Sequence, residues 1–238
     1  MADASQPLIV VTGASQGIGA AIARLFAEEV PCHLALLARN RENLETVAES
    51  CRSDECEAVA FPCDVSDNAQ VTETAAAVHA RWGAPDVLIN NAGAFHAAAF
   101  TEYSLEDFDR MLDTNLRGLF LVTRAFLDGM LDKGRGDIFN MCSIAGLDAY
   151  PGGTGYCAAK FGAVGLTRVL REELKEKGIR VTNVSPGPTF TPSWEGSGVP
   201  EDRLMPAEDI ARAFLDVYRL SRRTVVEEIV LQPQLGPL

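Results

Sequence analysis

The segment LIVVTGASQGIGAAIARLFAEEV, residues 8–30, joins an apolar run to a helical pattern through a loop that contains three glycines. The run LIVVT predicts a buried strand, and the apolar residues of 16–30 recur at helical spacing. Gly13, Gly17 and Gly19 are spaced G-x-x-x-G-x-G. Glycines allow a tight turn and a close approach of the backbone to a pyrophosphate, and a helix N-terminus offers free N–H groups. The segment therefore predicts a dinucleotide site, with a bare strand-to-helix turn as the alternative.

Strand and helix patterns alternate along the rest of the chain. Further strands are predicted at 33–38, 57–65, 86–93, 136–143, 179–187 and 224–233, and further helices at 41–51, 67–83, 105–131, 156–178 and 207–220. The strand segments are continuously apolar, which is typical of a parallel sheet covered on both faces. Because crossovers are right-handed, we predict a doubly wound, Rossmann-like α/β fold with a seven-stranded parallel sheet.

No change of composition, linker or repeat divides the sequence, so we predict one domain over residues 1–238. The longest stretch without a regular pattern, 186–206, contains the segment TFTPSWEGSG. A loop of that length in a compact domain is usually a lid or a disordered segment. We therefore predict a substrate lid at about 188–206.

The bulk composition excludes several classes of protein. A net charge of −12 argues against binding to nucleic acid or to an anionic membrane surface. No apolar run approaches the roughly 20 residues of a membrane span, and the N-terminus lacks the basic region of a signal peptide. The six cysteines contain no C-x-x-C pair, and with three histidines they predict no metal site. We expect a cytoplasmic protein with reduced thiols.

The end of the second predicted strand, LALLARN, bears on the choice of dinucleotide. In this fold an acidic residue there suits the 2′-hydroxyl of NADH, whereas an arginine suits the 2′-phosphate of NADPH. Ala38 stands where the acid would be, and Arg39 follows it. Arg39 can donate two parallel, charge-assisted hydrogen bonds to a phosphate, and Ser15 can add a further contact. We therefore predict NADPH/NADP+ as the cofactor and regard NADH as less favoured, although a solvated Arg39 is the alternative.

Seven motifs then fall in the order and spacing of a known family. They are TGASQGIG (12–19), CDV (63–65), NNAG (90–93), Asn115, Ser143, YCAAK (156–160) and PGPTFT (186–191). With them the chain resembles the short-chain dehydrogenase/reductases over nearly its whole length. The resemblance implies an NADP-dependent oxidoreductase that acts on CH–OH and C=O groups, here an NADPH-dependent carbonyl reductase.

The resemblance also implies four catalytic residues. Tyr156 would be the general acid that protonates the carbonyl oxygen, and Lys160 would hold the nicotinamide ribose. Ser143 would orient the carbonyl, and Asn115 would support a proton-relay water. Residues at i and i+4 share a helix face, so the Lys160 ammonium can lie near the Tyr156 oxygen and make its proton more labile.

The expected cofactor contacts extend over most of the chain. Asp64 and Val65 match an adenine contact, 91–93 a loop under the adenosine ribose, and 186–191 a segment around the carboxamide. The full expected set is Gly13, Ser15, Gln16, Gly17, Ile18, Gly19, Arg39, Asp64, Val65, Asn91, Ala92, Gly93, Tyr156, Lys160, Pro186, Gly187, Thr189 and Thr191.

The substrate is a small-molecule carbonyl compound whose identity the resemblance does not give. Trp194 could cover a flat or apolar ligand, so Ser143, Tyr156 and Trp194 are the candidate substrate contacts. Trp194 and the ending SRRTVVEEIVLQP resemble the bacterial sepiapterin-reductase-like members, which reduce side-chain ketones of pterins or vicinal diketones.

Two other functions are left open. A 3-oxoacyl-[acyl-carrier-protein] reductase is the nearest alternative, with Arg135, Lys175 and Lys177 as candidate contacts for the acidic carrier. A non-catalytic sensor that binds NADPH is a remote alternative. The family further implies a homodimer or homotetramer, formed through the two long helices and the last strand.

Overall fold

The computed structural model describes residues 6–194 and 196–236. The predicted domain of residues 1–238 therefore includes seven terminal residues, and the predicted lid includes Glu195, that lie outside the described residues. Within the described ranges, no helix combines the length and the apolarity that crossing a bilayer requires.

Seven parallel strands form a single sheet. They are β1 (Leu8–Thr12), β2 (Cys32–Ala38), β3 (Cys56–Pro62), β4 (Val87–Asn90), β5 (Gly136–Met141), β6 (Ile179–Pro186) and β7 (Glu228–Leu231). Their order is β3-β2-β1-β4-β5-β6-β7, so the direction of winding reverses between β1 and β4. The prediction of a doubly wound, seven-stranded parallel sheet is confirmed.

The helices cover both faces of the sheet. They are α1 (Gly17–Glu29), α2 (Arg41–Cys51), α3 (Asn68–Trp82), α4 (Leu105–Leu112), α5 (Gly118–Lys133), α6 (Thr154–Leu174) and α7 (Ala207–Tyr218). Alternate residues of β1 face opposite cores: Ile9 packs with α1, α2 and α7, whereas Val10 packs with α3, α5 and α6. Burial on both faces explains why the strand segments are continuously apolar.

The prediction of one regular helix over 105–131 is wrong in detail. A single π-helical turn, Asp113–Arg117, lies between α4 and α5, and it contains Asn115. The amide of Asn115 explains this turn, because its Nδ2 donates to the carbonyl oxygens of Ala94 (2.9 Å) and Met111 (3.0 Å). Local widening of a helix of this kind is frequent at functional sites.

Five strands end earlier than predicted: β6 ends at Pro186 and β7 at Leu231, and β3, β4 and β5 are shortened as well. β3 was expected to reach residue 65, β4 residue 93 and β5 residue 143, yet the ladders stop at Pro62, Asn90 and Met141. The apolar pattern continues past the strands because Cys63, Val65 and Cys142 are buried in the loops that follow. These loops lie at the carboxyl edge of the sheet and carry the candidate site.

Candidate active site

Thr12 joins the ends of the two central strands. Its hydroxyl accepts hydrogen bonds from the backbone N–H groups of Asn91 (2.9 Å) and Ala92 (3.0 Å), and the residue is buried. Asn91 returns the contact, since its Nδ2 donates to the carbonyl oxygens of Thr12 (2.9 Å) and Gly13 (3.2 Å). The loops after β1 and β4 are thus fixed at the point where the winding reverses, the place at which doubly wound sheets bind ligands.

The glycine loop needs its glycines for two different reasons. Gly13 and Gly17 have φ values of 65° and 55°, in the left-handed region that favours glycine. Gly19 has no room for a side chain, because a Cβ there would lie 2.3 Å from the carbonyl oxygen of Gly13. The loop therefore packs backbone on backbone and brings the start of α1 to the edge of the sheet.

A Gly19→Ala variant should lose stability because the added methyl group meets backbone on one side and the amide of Asn91 on the other. Overpacking of this kind costs about 1–3 kcal/mol. For a chain of this size that loss corresponds to a fall of about 2–12 °C in Tm. Thermal unfolding of the two proteins checks the prediction, and an unchanged Tm would contradict the packing described here.

The N-terminus of α1 is free to receive an anion. Three other helices, α2, α3 and α4, are capped by the side chains of Asn40, Asp67 and Ser104. By contrast, Gln16 makes no side-chain cap hydrogen bond, and the first turn of α1 holds no acidic residue. Backbone N–H groups left without a cap and the positive end of the helix dipole favour a phosphate at this position. The residues present therefore fit the pyrophosphate of a dinucleotide.

The expected adenosine end lies along the same edge. Arg39 is exposed directly after β2, and Ala38 before it brings no carboxylate. Ser15 and Ile18 are half-buried in the glycine loop, and Gln16 is exposed. Among the described residues, no hydrogen bond or ion pair holds the Arg39 guanidinium, so these residues suit a phosphorylated ribose.

The loop after β3 is braced from within. The Asp64 carboxylate accepts hydrogen bonds from the backbone N–H (2.9 Å) and the hydroxyl (2.6 Å) of Ser66. Val65 is buried against Gly118, the first residue of α5, where a Cβ would lie 2.9 Å from Val65 Cγ2. These contacts hold Asp64 and Val65 at the carboxyl edge, beside the expected adenine position.

Lys160 is a buried cation that faces the end of β5. It is 3% exposed, and its Nζ donates to the carbonyl oxygen of Met141 at 2.9 Å. Gly93 and Asn115 approach from the other side: a Cβ on Gly93 would lie 2.9 Å from Asn115 Oδ1 and 3.9 Å from Lys160 Nζ. An ammonium has three donors, and the Met141 carbonyl uses one of them, so Lys160 retains donors for another acceptor.

Ser143 lies two residues beyond β5 and not at its last residue as expected. Its Oγ accepts a hydrogen bond from the N–H of Ala145 at 3.1 Å and thereby caps the short 3-10 turn Ile144–Gly146. Gly146 packs on α6, since a Cβ there would lie 2.7 Å from the Lys160 carbonyl oxygen. The turn thus fixes Ser143 relative to the helix that carries Tyr156 and Lys160.

Tyr156 lies in the first turns of α6, half-buried, with Lys160 Nζ 5.6 Å from the centre of its ring. On the open side its ring meets Phe95 edge-on, with the ring centroids 5.1 Å apart. The structure therefore brings Asn115, Ser143, Tyr156 and Lys160 to one edge of the sheet. A phenol hydroxyl, a serine hydroxyl and a buried ammonium together can bind a carbonyl group and give it a proton.

The segment after β6 lies over the glycine loop. Gly187 donates its N–H to the carbonyl oxygen of Leu231 (2.7 Å), and the Thr189 hydroxyl donates to the carbonyl oxygen of Gly187 (3.0 Å). Thr191 reaches the glycine loop, where a Cβ on Gly17 would lie 3.2 Å from Thr191 Cγ2. Pro186 is the last residue of β6. The expected nicotinamide segment and pyrophosphate loop are therefore neighbours in space.

Trp194 ends a short 3-10 turn, Pro192–Trp194, in the predicted lid. The lid is more ordered than a bare loop: the N–H of Phe190 donates to the Met205 carbonyl oxygen (2.8 Å), and the N–H of Met205 donates to the Pro188 carbonyl oxygen (3.0 Å). This bridge closes the base of the segment that carries Trp194.

Some residues at the site were missed by the sequence interpretation. Thr12 was read only as part of the glycine motif, and its position directly before Gly13 was the available signal. Phe95 and Tyr150 were not singled out, although they lie two residues after NNAG and six residues before Tyr156. In the described residues, no group of three or more His, Cys, Asp or Glu side chains could hold a metal ion.

Comparisons with known proteins agree with this arrangement. Residues 7–200 match the family model described as short chain dehydrogenase. The sepiapterin reductase of Chlorobaculum tepidum is 35% identical, over 97% of this chain and 98% of that protein. An alcohol dehydrogenase from the archaeon Thermococcus sibiricus, solved with 5-hydroxy-NADP, has a TM-score of 0.90 at 31% identity and 98% coverage of both chains. A variant of actinorhodin polyketide ketoreductase with NADPH has a TM-score of 0.87 at 29% identity, again with 98% of both chains covered.

Proposed function

The chain belongs to the short-chain dehydrogenase family and is an oxidoreductase, and we propose that it is an NADPH-dependent reductase of small ketones. The observation that carries the proposal is the meeting of two features at one edge of the sheet. One is the glycine loop with the uncapped start of α1. The other is Tyr156 beside the buried ammonium of Lys160.

NADP(H) is the cofactor that the supporting observations favour. The related structures carry 5-hydroxy-NADP and NADPH, and in this chain Arg39 follows β2 where an acidic residue would suit NADH. The glycine loop would hold the pyrophosphate, Arg39 and Ser15 the 2′-phosphate, and Lys160 the nicotinamide ribose. When bound, NADPH supplies the hydride for the carbonyl carbon.

The side chains would act on the carbonyl oxygen. The Ser143 hydroxyl donates a hydrogen bond that orients this oxygen, and the Tyr156 hydroxyl transfers its proton to it as negative charge develops. The Lys160 ammonium stabilises the phenolate left on Tyr156, because it is buried and lies next to the ring. Asn115, in its π-helical turn, positions the neighbouring loop through Ala94, whose N–H donates to its Oδ1 at 3.2 Å. It is the candidate residue for supporting a relay water that returns the proton.

The sepiapterin or diketone subtype has more support than an acyl-carrier-protein reductase. Two of the three cations proposed to meet the carrier are already paired, Arg135 with Asp86 at 3.0 Å and Lys175 with Glu172 at 2.5 Å. Arg135 precedes β5, and Lys175 and Lys177 precede β6, so all three lie at the amino edge of the sheet, opposite the candidate site. The similarity to a sepiapterin reductase supports the same choice, with Trp194 as the candidate cover over the substrate.

A carbonyl panel tests the proposed function. Purified protein is given NADPH with a diketone, sepiapterin, a steroid ketone or a 3-oxoacyl thioester, and the loss of NADPH absorbance is followed. We expect turnover with the diketone or the pterin and little with the thioester. If NADPH binds but no compound in the panel is reduced, the non-catalytic sensor becomes the better account.

We also propose that the protein is a homodimer or homotetramer. Exposed apolar side chains line the outer surfaces of the two helices expected at the interface: Phe120 on α5 is 49% exposed, and Phe161 and Val169 on α6 are 46% and 53% exposed. Phe161, Gly165 and Val169 are spaced four residues apart, so they share one helix face. The single domain and the cytoplasmic location stay predictions.

Phe161→Asp should shift the assembly toward smaller species, because it places a charge in an apolar contact. Sedimentation velocity of both proteins measures the change. Leu220→Asp is the matched control, since Leu220 is apolar and 40% exposed but lies after α7, outside the helices and the strand expected at the interface. A wild-type protein that sediments as a monomer would refute the assembly.

A further inference from the structure

A surface cavity of about 550 Å³ lies between the loop after β4 and the N-terminus of α6. Its walls include Ala99, Phe100, Ala149, Tyr150, Gly153 and Cys157, and none of the nine residues that line it carries a charge. This is unusual for a chain with a net charge of −12. An uncharged wall of this composition suits an apolar group and penalises the burial of an ionised one.

The cavity lies next to the candidate catalytic Tyr156, because Cys157, one of its walls, directly follows Tyr156 in α6. The loop after β4 carries Phe95, which touches the Tyr156 ring, and then reaches the cavity at Ala99 and Phe100. A bridge between Ala98 and Gly153, with the Ala98 N–H donating to the Gly152 carbonyl oxygen at 3.1 Å, ties this loop to the opposite wall. A ligand that places its carbonyl at Tyr156 therefore has the cavity beside it for a substituent.

Aromatic side chains at the mouth are left uncovered. Phe100 and Tyr150, which line the cavity, are 80% and 40% exposed, and Phe95, which contacts the Tyr156 ring, is 55% exposed. Burying such rings against a flat apolar group is favourable through area and through edge-to-face contact. Burial also raises the pKa of Tyr150 well above its usual value, with Cys157 and Tyr156 adding to the shift, so this hydroxyl stays neutral at physiological pH.

We infer that the cavity takes an uncharged aryl or alicyclic group next to the reacting carbonyl, so that the preferred substrates are bulky neutral ketones. The inference rests on the proposed carbonyl reductase activity and adds the class of substituent that the enzyme selects. It also favours an apolar diketone over a pterin, because the wall offers only a few hydroxyl and thiol groups to a ring rich in hydrogen-bonding nitrogen atoms. Phe100, which lines the cavity, is then a specificity-determining residue.

Two diketones that differ in one substituent test the inference. Diacetyl carries a methyl group where acetylbenzoyl carries a phenyl group, and both present the same reacting unit. We expect kcat/KM with NADPH to be at least about tenfold higher for acetylbenzoyl, within the range that an apolar pocket gives for added apolar groups. Acetylbenzoyl should also exceed sepiapterin. Equal use of the two diketones, or a preference for sepiapterin, would overturn the inference and leave the proposed function standing.

Substitutions at the mouth of the cavity test whether the cavity causes the preference for acetylbenzoyl over diacetyl. Phe100→Ala removes an exposed ring, so folding is not at risk, and it should lower the ratio of kcat/KM for acetylbenzoyl over diacetyl about tenfold. Leu105→Ala removes an exposed apolar side chain that does not line the cavity, and it should leave that ratio unchanged. An unchanged ratio in Phe100→Ala would overturn the inference. Failure of the wild-type protein to reduce either diketone while it reduces sepiapterin would overturn the inference alone, whereas failure with every ketone of the panel would overturn the proposed function as well.

Discussion

A Tyr156→Phe variant is expected to lose nearly all carbonyl reduction and to keep its affinity for NADPH. General acid catalysis contributes about 10²–10⁴ in rate, and phenylalanine has no proton to give. The ring itself stays, so its edge-on contact with Phe95 and its place above Lys160 should persist. The fall should therefore appear in kcat, measured by steady-state NADPH consumption, while fluorescence titration gives an unchanged Kd for NADPH.

Tyr218→Phe is the matched control for this experiment. Tyr218 ends α7 on the other face of the sheet, where its ring packs against Phe26 at 5.6 Å. The same loss of a hydroxyl there should leave kcat within about twofold of the wild type, because the partly buried Tyr218 packs on the face of the sheet opposite to α6. If Tyr156→Phe keeps a large part of the wild-type kcat, another group supplies the proton and the assignment of Tyr156 is wrong.

Arg39→Asp is expected to reverse the preference for cofactor. The variant loses the charge-assisted hydrogen bonds from Arg39 to the 2′-phosphate of NADPH and places a negative charge beside that phosphate. It also gives the 2′-hydroxyl of NADH a carboxylate acceptor. A hydrogen bond to a charged group is worth about 1.5–3 kcal/mol, and the repulsion adds to that loss. The ratio of kcat/KM for NADPH over NADH should fall on the order of a thousandfold, since each 1.4 kcal/mol is a factor of ten.

Arg223→Asp controls for the change of net charge. Arg223 is exposed in the turn before β7, at the amino edge of the sheet, far from the glycine loop. Its replacement alters the total charge by the same amount and should leave the cofactor ratio near the wild-type value. A wild-type protein that prefers NADH would remove the role given to Arg39.

Much of the fold could be predicted because its signals are local. Continuous apolar strands alternating with helical patterns indicate a parallel sheet, and the three glycines before α1 mark the loop at its carboxyl edge. The placement of Tyr156 and Lys160 on one face follows from the period of the helix alone. These features do not depend on contacts with distant segments, so they can be predicted from the local sequence pattern.

The remaining features depend on contacts between distant segments. The π-helical turn at Asn115 follows from hydrogen bonds to Ala94, 21 residues earlier, which no helical pattern encodes. The early ends of β3, β4 and β5 follow from loops that bury apolar residues without pairing as strands. A hydrogen bond joins the Thr12 hydroxyl to the N–H of Asn91, 79 residues later. Such details become visible only when the chain is folded.

Dependence on contacts between distant segments also explains why the aromatic side chains near Tyr156 were missed. Phe95 and Tyr150 lie in loops, Phe100 begins a short 3-10 turn, and each alone resembles an ordinary exposed ring. The bridge between Ala98 and Gly153 brings the two loops together beside Tyr156. The region that would select the substrate is therefore the region about which the sequence is least informative.

The central claim is that this chain couples NADPH oxidation to reduction of a ketone at Tyr156. The most direct test is the stoichiometry of hydride transfer from NADPH deuterated at the transferring position to acetylbenzoyl. We expect one deuterium in the alcohol product for each NADP+ formed by the wild-type protein, and almost no product with Tyr156→Phe. Tight binding of NADPH without any deuterated alcohol, or equal product from both proteins, would contradict this claim.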